Sequence, residues 1–155
     1  MTAKAHERTW RGALAAAALL AAAPAAAGLG ERAEAIPADR RALAAERRAP
    51  LARPGYTVER MASPAHEVRE YVSPSGVVFG VAWDGLSHPD LSRLLGAYAT
   101  EFERALPGSS AVKRRRRTVR TPRLVVETWG HMRSLHGRAY AAALLPPGVS
   151  GDDVR

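Results

Sequence analysis

The chain has no cysteine. This excludes a disulfide, a thiol nucleophile, a thiolate metal site and lipid attachment through an N-terminal cysteine. Aromatic residues are scarce, at 6% of 155 residues, so each Trp, Tyr and Phe matters to the core or to a surface site. Lysine is almost missing: Lys4 and Lys113 are the only two, and arginine carries the positive charge. No apolar run reaches the roughly 20 residues that a membrane-spanning helix needs. There is no glycine loop with a following Lys for phosphate, no Gly-x-Ser-x-Gly elbow and no internal repeat.

What the chain does have begins at its start. Met1 to Gly12 is basic, Ala13 to Ala23 is an uncharged apolar run, and Pro24 breaks it. Ala25, Ala26 and Ala27 then offer a small-x-small cleavage site before Gly28. In that order these are the parts of a secretory signal peptide. Ala25, Ala27 and Gly28 are therefore the expected cleavage residues. Arg8 and Arg11 are not adjacent, so the twin-arginine route has no support. The expectation is a periplasmic or secreted protein with no membrane span after cleavage.

The formal charge is +8, of which about +6 follows residue 27. Such a protein is drawn to anionic partners. An Ala- and Arg-rich composition also fits a GC-rich bacterial genome. The 128 residues that remain suit one domain.

Four parts are expected: a signal peptide over 1–27, an Ala/Arg-rich N-terminal arm over 28–55, a single domain over 56–149 and a polar tail over 150–155. Pro37-Ala38-Asp39 is read as the start of a short helix to about Arg48. Strands are expected over Tyr56 to Met61, Glu67 to Ser73 and Val77 to Trp83, with a turn at Ser73-Pro74-Ser75-Gly76. Alternation along the third strand puts Val77, Phe79, Val81 and Trp83 on one face. Ser87-His88-Pro89-Asp90 has the form of a capping box. Leu91, Leu94, Leu95, Tyr98 and Phe102 follow at helical spacing. Leu124 to Thr128 and His131 to His136 complete the pattern, joined at Trp129-Gly130. The expected fold is α+β: a small antiparallel sheet of about four to five strands with one main helix packed on one face, after the signal peptide and a partly helical arm.

Several segments recur together in a known family. Glu70 to Trp83 (EYVSPSGVVFGVAW), Pro89 to Tyr98 (PDLSRLLGAY), LVVE, GHMR, GRAY and LLPPGV stand in that order. In these the chain resembles the short exported bacterial proteins of domain of unknown function 2844. The resemblance implies a signal peptide and one small domain. It carries no activity, ligand or fold.

The loudest charge feature is Lys113, Arg114, Arg115, Arg116 and Arg117. Adjacent cations stay solvated, so an exposed loop or ragged strand edge is expected, with a weak anionic-surface contact as its functional reading. No specific nucleic acid is expected of an exported chain. His66-Glu67-Val68-Arg69-Glu70 falls short of a zinc protease signature, since position 70 is Glu and the context is a strand. His131 and His136 lie on opposite faces of a strand, or about 140° apart on a helix. No metal site or cofactor is expected. Tyr71, Trp129, His131, Arg133 and Arg138 are candidate ligand contacts, because aromatic and Arg groups together suit sugars, peptides and anions. Trp83 is assigned to the core.

The functional expectation is a non-catalytic envelope-associated binding or accessory domain. Two alternatives stand beside it. One is an extracytoplasmic hydrolase-like enzyme using carboxylates with His131 or His136. The other is a weak polyanion binder acting through the basic run.

Overall fold

The computed structural model describes residues 28–106 and 116–155. The signal-peptide segment and Lys113, Arg114 and Arg115 lie outside them. Seven strands form one antiparallel sheet: β1 (Glu46–Arg53), β2 (Tyr56–Ala62), β3 (His66–Val72), β4 (Val78–Gly85), β5 (Arg116–Arg120), β6 (Leu124–His131) and β7 (Ser134–Ala141). Their spatial order is β1-β2-β3-β4-β7-β6-β5. Three short helices accompany it: α1 (Ile36–Ala42), α2 (Leu91–Leu94) and α3 (Ala99–Ala105).

This corrects the expected α+β fold of four to five strands under one main helix. Both added strands are sheet edges. β1 is exposed at all eight positions, and β5 buries only Val119. Neither carries the apolar alternation that marks a strand, because backbone pairing with one neighbour holds each of them. The helical stripe is interrupted at Gly96, which has φ +48 and stands where a Cβ would lie 3.1 Å from the Gly28 backbone. The close approach of residues 28–29 excludes a continuous helix there. A 3₁₀ turn over Gly96–Tyr98 links α2 to α3 instead. The cap also moves: Asp90, not Ser87, accepts from the backbone N–H groups of Ser92 and Arg93.

The sheet has two covered faces. On one, which we call the helix face, Met61, Val68, Val81, Trp83, Val126 and Ala139 pack against Leu29, Ile36, Leu94, Leu95 and Phe102. Burying such a side chain contributes about 1.5–3 kcal/mol. On the other, Val58, Tyr71, Phe79 and Ala82 pack around Val154 from the end of the chain. We call this the tail face. The β3–β4 register slips between Tyr71 and Val72. That bulge turns Phe79 to the tail face and Val78 to the helix face, so the simple alternation expected for β4 fails at its start.

The first described residues are part of this core. Leu29 is fully buried, its N–H donates to Leu94 O at 2.9 Å, and Gly30 N–H donates to Val78 O at 2.8 Å. The last six residues, polar in composition, fold over the tail face. The Tyr71 hydroxyl donates to the carbonyl of Arg155 and accepts from its N–H at 2.9 Å. Arg138 donates to Gly151 O at 3.0 Å and to Val154 O at 3.4 Å.

Candidate functional site: the polar tail face

Strand register places polar side chains on the tail face in rows. One row runs Arg60, Arg69, Ala82, Arg138, Glu127 and Thr118 across β2-β3-β4-β7-β6-β5. The next runs Ala62, Glu67, Asp84, His136, Trp129 and Arg116 in the same strand order. Side chains directly opposite on one face are close enough to pair.

At the β1–β3 end the rows meet the C-terminal segment and leave a cleft of about 700 Å³. Arg53, Arg60, Arg69 and Arg155 line it with Tyr56 and Tyr71, against the carboxylates Glu67 and Asp153. Four guanidiniums face two carboxylates. Glu67 sits 3.0 Å from Arg60 and 3.7 Å from Arg69. Asp153 accepts from Ser150 N–H and Oγ, which hold its carboxyl below the usual carboxylate range. Tyr56 and Tyr71 lie 5.9 Å apart between ring centres, with Phe79 edge-on to Tyr56 at 5.7 Å. The aromatic floor is thus fixed by packing, and the guanidiniums stand around it.

At the β6–β7 hairpin end a shallower cleft of about 330 Å³ includes His66, Asp84, Leu86, Arg133, Ser134 and His136. His136 Nδ1 meets Asp84 Oδ1 at 2.5 Å, and His136 Nε2 meets Ser134 Oγ at 3.2 Å. Arg69 binds the other oxygen of Asp84. Burial pushes the Asp84 carboxyl up, but the hydrogen bonds from His136 and Arg69 outweigh it and hold the group below its ordinary value. Trp129 stacks on the His136 ring at 6.0 Å and 16°. A neighbouring pair joins His66 Nε2 to Ser87 Oγ at 2.8 Å. Among the described residues no group of three or more His, Asp or Glu is placed to hold a metal ion. Nor is any helix there long and apolar enough to cross a membrane.

A family model described as a protein of unknown function, DUF2844, matches residues 25–154. The chain belongs to the DUF2844 family. No curated protein and no solved structure matches it.

In this DUF2844 chain the sequence-derived contacts fall at three separate places. Tyr71 is buried in the floor of the large cleft and secures the chain end. Arg138 is bound to internal partners, with Glu127 at 2.8 Å. Trp129 lies in mid-strand over His136, because the turn expected at Trp129-Gly130 comes later, at Met132-Arg133. His131 precedes that turn and Arg133 lies within it, and both are exposed. Of the basic run, Arg116 and Arg117 begin β5, and Arg116 reaches Glu127 at 3.8 Å.

Sequence reasoning missed Arg53, Arg60 and Arg155 of the large cleft, and Asp84 and Ser134 of the small one. Asp84 and His136 are 52 residues apart, and only the β4–β7 register brings them together. Ser134 and His136 at i, i+2 in a strand share a face, which was the one local signal available.

Proposed function

We propose that this DUF2844 chain is an exported bacterial domain, periplasmic or secreted, that binds an anionic component of the envelope in the Arg–Tyr cleft. The excess of guanidiniums over carboxylates around a packed tyrosine floor carries the reading. Guanidinium pairs with carboxylate or phosphate in a fixed fork, and tyrosine faces give apolar area beside it. The cleft is open and formed in advance, which suits an extended acidic polymer. The signal-peptide pattern supports the location, and the charge of about +6 after residue 27 supports attraction from a distance.

The test uses protein beginning at Gly28, titrated calorimetrically with polygalacturonate and, as a control, neutral dextran. Binding to the acidic polymer alone, weakening with added salt, is the expected result. Arg53→Ala with Arg155→Ala should lower affinity about tenfold or more, since a hydrogen bond to a charged group contributes about 1.5–3 kcal/mol. Affinity unchanged in that variant but lost on neutralising positions 113 to 117 would move the site to the basic run. Failure to bind polygalacturonate, inorganic polyphosphate and anionic vesicles alike would refute the reading.

A further inference from the structure

We propose that Ser134, His136 and Asp84 form a nucleophilic acyl-transfer site whose substrates are carboxylic esters. The inference rests on the β6–β7 hairpin end of the tail face, which shares Glu67 and Arg69 with the Arg–Tyr cleft but not Ser134, His136 or Asp84.

The geometry is directional. Each imidazole nitrogen of His136 has its own partner. An ionised Asp84 accepts from Nδ1–H, which leaves the lone pair on Nε2, and Nε2 faces the Ser134 hydroxyl at 3.2 Å. This is the tautomer a general base needs. The hydrogen bonds from His136 and, on the second oxygen, from Arg69 outweigh burial and keep Asp84 ionised. The Trp129 stack restricts the ring, so serine, imidazole and carboxylate are positioned before any substrate arrives.

Burial does not require this arrangement. Ser134 and His136 are both partly exposed, and water would satisfy either one. Ser134 stands at the first position after a two-residue turn. There Arg133 takes φ +63, a left-handed conformation uncommon outside glycine. Strain of this kind concentrates at functional sites. The turn brings Arg133 and Ser134 to the rim of one cleft, where Ala65 and Leu86 supply apolar wall. Arg133 is the cation available to a developing oxyanion.

The chemistry balances without a cofactor. Ser134 Oγ bonds to the ester carbonyl carbon as His136 Nε2 takes the hydroxyl proton. The tetrahedral intermediate collapses, the carbon–oxygen bond to the alcohol breaks, and His136 returns the proton to that alcohol. Water then attacks the acyl-serine as His136 Nε2 takes its proton, the bond from the acyl carbon to Ser134 Oγ breaks, His136 returns the proton to Oγ, and the carboxylic acid leaves. Asp84 positions the imidazole and stabilises its protonated form, with no proton transfer of its own.

The experiment treats protein beginning at Gly28 with an alkyl fluorophosphonate, in which Ser Oγ displaces fluoride from phosphorus. Peptide mass mapping should find one adduct, on Ser134. Ser134→Ala should abolish it, and His136→Gln should slow its formation by about 100-fold or more. Hydrolysis of p-nitrophenyl acetate should follow the same pattern. The role of Asp84 is read from the pH profile of labelling, whose midpoint should move in Asp84→Asn. Arg69 on β3, Glu67 and His66 in the cleft, His131 opposite Ser134 on β6, Arg133 on the turn and Arg116 on β5 also face this region and remain constant in that comparison. Thermal midpoints confirm that each variant folds. Should Asp84→Asn unfold by weakening the pairing of Arg69, Ser134→Ala and His136→Gln decide alone. No adduct, an adduct on Ser87 beside His66, or labelling unaffected by His136→Gln would overturn the proposal.

Discussion

Trp83 shows how one residue organises the sheet. It is fully buried and lies across the neighbouring strand at Gly137, where a Cβ would meet the indole ring at 2.1 Å. Its Nε1–H donates to His88 Nδ1 at 3.0 Å. Gly137→Ala should therefore cost about 1–3 kcal/mol by overpacking, measured by denaturant unfolding. His88 carries a pH dependence with it. Burial, then the nearby charge of His66, holds His88 below its ordinary 6.5. A depressed folded value favours the neutral ring, so this contribution is whole above pH 6.5. It declines as pH falls past 6.5 toward the folded value. Thermal midpoints at about pH 7.5 and 5.0 check this: the drop should be smaller in His88→Gln, which keeps an acceptor and cannot titrate. Trp83 was legible in the sequence as core, because it sits in the most apolar strand. Its glycine platform was not, since nothing local links positions 83 and 137.

At the scale of elements, legibility follows burial. The five strands expected from pattern all exist, with ends shifted by up to five residues at the β6–β7 hairpin, because each buries side chains on a covered face. The sequence puts the end of a helix over the start of β1, and an exposed loop or ragged strand edge over the basic run that leads into β5, because exposed edges leave no apolar signature. Their arginines suit an edge: they discourage a further strand from adding to the sheet. The closing segment follows the same logic. Val154 is fully buried over Gly80, where a Cβ would come within 2.7 Å of it. One buried valine in a polar stretch makes no pattern. Val154→Ala should cost about 1–3 kcal/mol, and Tyr71→Phe about 1–2 kcal/mol through its two bonds to Arg155. Because both hold one segment, the double variant should cost less than the two singles together, measured by chemical denaturation. Simple additivity would show that the segment docks through independent contacts.

For the whole molecule, the candidate sites were the least legible part. Both clefts are assembled from residues on different strands, and nothing local in the sequence announces the register that aligns them. The expected export signal has a structural consequence at the same scale. Gly28 is buried, and a Cβ there would lie 2.5 Å from Arg93 O and from Gly96 N. Leu29 is bonded to the carbonyl of Leu94. A signal peptidase needs an extended, accessible chain across its cut. If the chain is cut between Ala27 and Gly28 as expected, the cut comes before residues 28–30 dock. Gly28→Ala separates the two roles of this position. A small residue leaves the cleavage pattern intact, whereas the added Cβ strikes backbone that has little room to move. The variant should be processed at the same bond in the native host, as read by N-terminal sequencing of the exported protein. The purified product should then melt at lower temperature than the unmodified one, corresponding to about 1–3 kcal/mol. An intact Met1 on exported protein would sink the cleavage expectation. An unchanged melting temperature would show instead that residues 28–30 do not hold the core in the processed protein.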